Sequence, residues 1–247
     1  MKRVILNVLL GAVMVISFPA YGSGGNKMTF AFKGGDTVTI ELVGYGTATI
    51  DFGDGFEGKT YSLKEEENSY SWEYSQTYPR TIKIIGENIT ELYCSEIGLT
   101  NLDISRSPAL KILKCNDNQL TSLDVTKNTM LIELNCTNNQ LTSLNVNNNL
   151  VLAELFCGRN LLTSLDVTKN IAMTEYLSVY ANQLSTEALN VLFSALPYGN
   201  NGTIFIMDNP GTNTCDQSIA TGKEWIVKDS DDDEEIEWGE DEEDEEN

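Results

Sequence analysis

The chain has 247 residues, 41% of them apolar, enough to bury a sizeable core, and a formal charge of −21 that disfavours nucleic-acid phosphates and anionic membrane surfaces. It contains five cysteines and no histidine, which excludes the histidine-based catalytic and metal-binding sets. Fourteen of its 37 acids fall in Asp229–Asn247 with no base among them, so much of the charge belongs to one end.

The first 22 residues have the parts of a secretory signal peptide: Lys2 and Arg3, an apolar run from Val4 to Phe18, and the small-residue site Ala20-Tyr21-Gly22. The run is shorter than the ~20 apolar residues needed to span a bilayer, contains Asn7 and is followed by Pro19. The expectation is an exported chain, secreted, cell-surface or periplasmic, with no transmembrane segment after signal cleavage.

Residues 27–86 alternate at period two. Thr37-Val38-Thr39-Ile40-Glu41-Leu42 is a half-buried strand, and Thr47 to Phe52 leads through Gly53-Asp54-Gly55 into a turn. Further strands are predicted at Thr60–Leu63, Ser69–Tyr74 and Thr81–Ile85, giving a small β-sandwich. Asp51-Phe52-Gly53-Asp54-Gly55 with the later Tyr74-Ser75-Gln76-Thr77-Tyr78 resembles PKD-like sandwich domains, although Gln76 stands where those domains often carry histidine. Asp51 and Asp54 are read as turn formers and not as catalytic carboxylates. No linker separates Ile85 from Ile89, so the sandwich is expected to cap the segment that begins at Ile89.

Cys94, Cys115, Cys136 and Cys157 are spaced by 21 residues, and their surroundings recur with them as L-x-x-L-x-C-x-x-N-x-L-T-x-L-[DN]-V. A fixed period of this size marks a stacked architecture. Three units are complete, Leu110 to Val125, Leu131 to Val146 and Leu152 to Val167. The unit Ile89 to Ile104 is an atypical first coil, with Ile97 where the others carry Asn118, Asn139 and Asn160. A last unit near Thr174 has Leu177, Val179, Asn182 and Leu184 in register. Alternation puts Leu113 and Cys115 on the inner side of a short strand, and Leu120, Leu123 and Val125 return the chain with their side chains inward. The asparagines suit the bend after the strand, where an amide can satisfy backbone groups left unpaired. These units resemble the leucine-rich-repeat family in the 21-residue, cysteine-bearing form of exported bacterial proteins. The resemblance covers about half the chain and implies a right-handed solenoid with parallel strands over residues 87–184.

The ladder cysteines are expected to be buried free thiols. Their Cβ vectors would run parallel, which is poor disulfide geometry, and four metal ligands do not converge. Ser185 is a candidate N-cap for a helix carrying Ala188, Leu189, Leu192, Phe193 and Leu196 on one face up to Pro197. Thr203–Met207 and Trp225–Val227 are predicted strands, with a short helix around Asp216–Thr221, so 185–228 form an α/β cap. Residues 229–247 are expected to be a disordered acidic tail. The state of Cys215 is left open.

No G-x-S-x-G, Ser-x-x-Lys or glycine-rich phosphate loop occurs, so no enzyme and no cofactor are expected. What varies on the fixed frame are outward residues of the repeated strand, in lanes: Tyr93, Lys114, Asn135, Phe156, Ser178; then Ser95, Asn116, Thr137, Gly158, Tyr180; then Glu96, Asp117, Asn138, Arg159. Variation on a constant scaffold builds a binding surface, and Tyr93, Phe156 and Tyr180 are the anchor candidates. The resemblance implies a non-catalytic protein-interaction or adhesion module of the bacterial envelope, binding through the inner curve. The alternative is a carbohydrate-binding accessory protein, with aromatic rings stacking on sugars.

Overall fold

The computed structural model describes residues 26–33, 37–74, 79–86, 88–198 and 201–230. The expected signal segment 1–22, the tail from 231 onward and Gln76 lie outside these residues. Six strands lead the chain: β1 (Asn26–Lys33), β2 (Thr37–Gly44), β3 (Thr47–Asp51), β4 (Lys59–Ser62), β5 (Asn68–Glu73) and β6 (Pro79–Gly86). Their alternation is what buries them. Met28, Phe30 and Phe32 of β1, Val38, Ile40 and Leu42 of β2, and Ile82 and Ile84 of β6 all face inward. Aromatic pairs join the two layers, with Phe32 and Tyr74 at 5.6 Å between ring centroids, Phe52 and Trp72 at 5.3 Å, and Tyr61 and Tyr70 at 4.7 Å. In the turn after β3, Asp51 Oδ1 accepts from Gly53 N at 2.9 Å and Asp54 Oδ1 from Phe56 N at 3.0 Å, so both carboxylates serve the turn. Gly53 has φ +69°, and a Cβ there would meet the Thr81 carbonyl at 2.5 Å.

The repeats begin with β7 (Ile89–Tyr93) and β8 (Leu99–Arg106), followed by β9 (Ile112–Lys114), β10 (Glu133–Asn135), β11 (Glu154–Phe156) and β12 (Tyr176–Ser178). A three-residue strand cannot stand alone, and here each is held in register between neighbours. Leu92 lies opposite Leu113, Leu113 opposite Leu134, Leu134 opposite Leu155 and Leu155 opposite Leu177, all parallel. Behind them Cys94, Cys115, Cys136 and Cys157 form a buried ladder of free thiols.

Two strands escaped the sequence reading, and together they define how the N-terminal strands meet the solenoid. β1 pairs antiparallel with β8, the returning half of the first coil, while β2 pairs antiparallel with β7, its leading strand. The result is a five-stranded sheet of order β4-β3-β6-β1-β8, and a nine-stranded sheet that runs from β5 and β2 through the whole repeat array. Leu120 to Val125 has the same L-T-x-L-D-[IV] pattern as Leu99 to Ile104 but forms no strand, because no β1 lies beside it.

Asparagines hold the coils at two places. At the bend after each strand, Asn139 Oδ1 accepts from Leu120 N at 2.9 Å while its Nδ2 donates to the carbonyls of Cys115 (3.0 Å), Cys136 (3.1 Å) and Thr137 (3.3 Å). Asn118, Asn160 and Asn182 repeat this pattern, and Asn209, at the start of Asn209-Pro210-Gly211, continues it by accepting from Leu184 N at 3.1 Å. A second ladder of fully buried Asn128, Asn149 and Asn170 lies on the opposite side. Asn149 Nδ2 donates to Val125 O at 3.1 Å and Asn128 O at 2.7 Å, and Asn170 Nδ2 to Val146 O and Asn149 O. The V-x-x-N spacing after each coil carried that signal in the sequence.

Helix α1 (Thr186–Ala195) starts as expected at Ser185, whose hydroxyl accepts from Ala188 N at 3.2 Å, and it buries Leu189, Leu192 and Phe193. Its terminal carbonyls are met by Lys223 Nζ, 2.6 Å from both Ser194 O and Leu196 O. Strands β13 (Thr203–Phe205) and β14 (Ile226–Lys228), with the one-turn α2 (Ser218–Thr221) between them, extend the parallel sheet by two more members. The buried Trp225 donates from Nε1 to Pro197 O at 2.9 Å, tying the end of the chain beneath the helix.

Candidate binding face

Because the residues on either side of each central leucine point away from the core, the parallel sheet presents ordered lanes to solvent. The lane after the leucine holds Tyr93, Lys114, Asn135, Phe156 and Ser178 in register, and Phe205 follows on β13. The lane before it holds Glu91, Ile112, Glu133, Glu154 and Tyr176. This second lane was missed from the sequence, although glutamate recurs there at the repeat period. Glu96, Asp117, Asn138 and Arg159 sit where the chain bends, with φ between +49° and +59°. Their exposed side chains border the sheet.

Side chains on this face bind one another. Tyr93 Oη donates to Glu91 Oε2 at 2.7 Å, and Lys114 Nζ lies 5.4 Å from the Tyr93 ring centroid and 3.8 Å from Glu133 Oε1. Ser95 Oγ donates to Asn116 Oδ1 at 2.6 Å, and Asn116 Nδ2 to Asp117 Oδ2 at 2.7 Å. Asn138 Nδ2 reaches Asp117 Oδ1 at 2.5 Å, while Thr137 N is capped by Asn135 Oδ1 at 3.1 Å. Phe156 stacks on Tyr176 at 6.3 Å, and the Arg159 guanidinium lies 5.7 Å from the Tyr180 ring. The three anchor candidates, Tyr93, Phe156 and Tyr180, are therefore partly buried rings held by neighbouring side chains.

Two lane members do not face solvent. Ser178, expected among the contact residues, is fully buried, flanked in register by the larger Phe156 and Phe205. Gly158 is covered by Tyr180: a Cβ on Gly158 would stand 2.2 Å from Tyr180 Cε1, so the glycine makes room for the ring of the following coil.

The electrostatics follow from crowding. Burial, then the nearby charges of Glu133 and Glu175, push the Glu154 carboxyl up to about 7, with Lys114 opposing. Burial likewise raises Glu133, and it raises the Tyr93 phenol, which also donates its proton to Glu91. The ladder thiols are raised by burial, Cys136 to about 12, which keeps them as thiols at neutral pH. Cys215, half-buried, donates from Sγ to Thr212 O at 3.3 Å and is also raised by burial. Among the described residues no group of three or more cysteine or carboxylate side chains is placed to hold a metal ion, and no helix is long and apolar enough to cross a membrane.

No protein-family model and no curated protein matches the chain. Among solved structures it is similar to the functional domain of InlJ from Listeria monocytogenes, described as including a cysteine ladder, at 32% identity and a TM-score of 0.48. The match covers 57% of this chain and 29% of that one. An internalin (inlF) from Listeria monocytogenes matches at 23% identity and a TM-score of 0.45, over 56% of this chain and 39% of that one. The chain thus spans well under half the length of either.

Proposed function

We propose that this protein is a non-catalytic, exported interaction module of the bacterial envelope that takes a protein partner on the solvent face of its parallel sheet. The observation that carries the reading is the contrast between frame and lanes. Leucine, cysteine and asparagine repeat at fixed positions and are buried, while Tyr93, Lys114, Asn135 and Phe156, which share one register position, differ in size, charge and polarity. Such a surface loses little side-chain freedom on binding because its side chains are already held by one another. Asn116, Thr137, Arg159 and Tyr180 extend it. The N-terminal strands, read as a PKD-like sandwich, close the first coil and orient the face. A protein partner suits the crowded carboxylates better than a neutral glycan, and a glycan array is expected to be blank.

The test is cross-linking followed by pull-down of the mature protein from native envelope. Tyr93→Ala combined with Phe156→Ala should lower the recovered partner several-fold while the melting temperature changes by only a few degrees. Undiminished recovery would move the binding site off this face.

A further inference from the structure

Each coil turns into its strand through a corner that carries apolar residues into solvent. Leu150 is 55% exposed and Ile171, its equivalent in the next coil, 76%. Met130 and Val151 form a neighbouring pair, also exposed, and Ile132 lies beside them. Successive corners are tied together, since Ile132 N donates to Lys111 O and Ala153 N to Ile132 O, both at 2.8 Å. At a coil spacing of about 4.8 Å these side chains form one continuous strip and not scattered exposures.

The strip has a charged margin. One residue after Ile132 stands Glu133, Glu154 holds the same position in the next coil, and Glu175, one residue before Tyr176 of that lane, lies close to Glu154. Lys114 reaches Glu133 at 3.8 Å. Lys127 and Lys169 precede the strip by a few residues in their coils, both exposed. Apolar surface with crowded carboxylates along one edge fits an occupant with apolar side chains along its middle and ammonium or guanidinium groups on one edge. A second copy of this chain would bring a formal charge of −21 against an equal charge, so a basic partner is favoured.

We propose that this strip, with Glu133, Glu154 and Glu175, docks a basic, apolar polypeptide segment of the partner. The inference rests on the reading of the sheet as a protein-binding face and names the chemistry of what binds there. The probes are three labelled synthetic peptides followed by fluorescence anisotropy on the full chain: alternating Leu and Lys, alternating Ser and Lys, and alternating Leu and Glu. The Leu/Lys peptide should bind at least about tenfold tighter than the Ser/Lys peptide, and the Leu/Glu peptide should not bind. Leu150→Ser with Ile171→Ser should weaken the Leu/Lys peptide at least about fivefold, and Glu154→Gln with Glu175→Gln about threefold or more. Circular dichroism confirms that the variants fold.

Equal affinity for the Ser/Lys peptide would reduce the effect to general attraction by an acidic protein and overturn the proposal. So would unchanged affinity in the strip variants, or self-association in sedimentation velocity that those variants abolish. Phe56 is 77% exposed on the turn after β3, outside both the lanes and the strip. Phe56→Ser should leave peptide affinity unchanged, and an equal loss there would reduce the effect to general stickiness and overturn the proposal. Failure of the strip, read from the peptides, is separated from failure of the sheet face, which the envelope cross-linking tests.

Discussion

Replacing Asn139 by Leu removes the hydrogen bonds of one coil bend while nearly conserving side-chain volume. The Leu120 N–H, which Asn139 Oδ1 accepts at 2.9 Å, is left unpaired in the interior, at a cost of about 1–3 kcal/mol. The carbonyls of Cys115 and Cys136 lose one donor each but keep another, since Asn118 Nδ2 lies 3.0 Å from Cys115 O and Asn160 Nδ2 3.0 Å from Cys136 O. Their share is therefore small, roughly 0.5 kcal/mol each. Burying leucine in place of an amide returns roughly 1 kcal/mol of the loss, so a net destabilisation of about 1–3 kcal/mol is expected. Urea unfolding followed by circular dichroism measures the total, and amide hydrogen exchange locates it. Leu120 should lose protection, while Leu141, whose amide donates to Asn160 at 2.9 Å, should keep it. A loss below about 0.5 kcal/mol with Leu120 still protected would refute the assignment of these bonds as the coil's clamp.

In the native protein a thiol reagent should modify Cys215 alone among the five cysteines, with Cys94, Cys115, Cys136 and Cys157 reacting only on unfolding; rapid native labelling of all five would contradict the buried ladder. Gly158→Ala should destabilise by about 1–3 kcal/mol because the new methyl group meets Tyr180, and most of that loss should vanish when Tyr180→Ala is present too, as a double-mutant cycle would show. The Glu154 carboxyl is raised in the folded state, so it favours folding below its ordinary value of 4.5 and that contribution disappears as pH rises through about 7. Glu154→Gln should thus be more stable than the parent at pH 8, by about 1–2 kcal/mol after discounting for partial exposure, and indistinguishable from it near pH 4.5.

The repeat was legible because its buried positions recur: leucine, cysteine and asparagine each answer to a neighbour one coil away, so period and register are written together. What the sequence concealed were relations between segments of different texture. Met28, Phe30 and Phe32 alternate plainly, yet nothing local says that their strand pairs with Leu99–Arg106. The lanes after the leucine share the register that their spacing implied, but their depth was not legible. Ser178 is covered through Phe205, 27 residues later, and Tyr180 lies down because its predecessor in the lane is glycine. Depth depends on the sizes of neighbours, which a single lane position does not record. The second asparagine ladder, by contrast, had a periodic signal and fell outside the consensus because that consensus stopped at Val125 and its equivalents, while the glutamate lane fell on an x of the consensus, where Ile112 interrupts it.

The pairing of β2 with β7 and of β1 with β8 makes the first coil belong to two assemblies at once. The last coil is sealed differently, by β13, β14 and the helix above them. Between these closures every join is a copy of the next. The Asn118 bend in one coil presents the same groups as the Asn139 bend in its successor. A segment such as residues 116–136 could therefore be excised, or duplicated, and the cut ends would meet partners already shaped for them. Chain length in this molecule can change in whole coils at little cost, and the span of its solvent-facing parallel sheet would change with it, while both closures remain as they are.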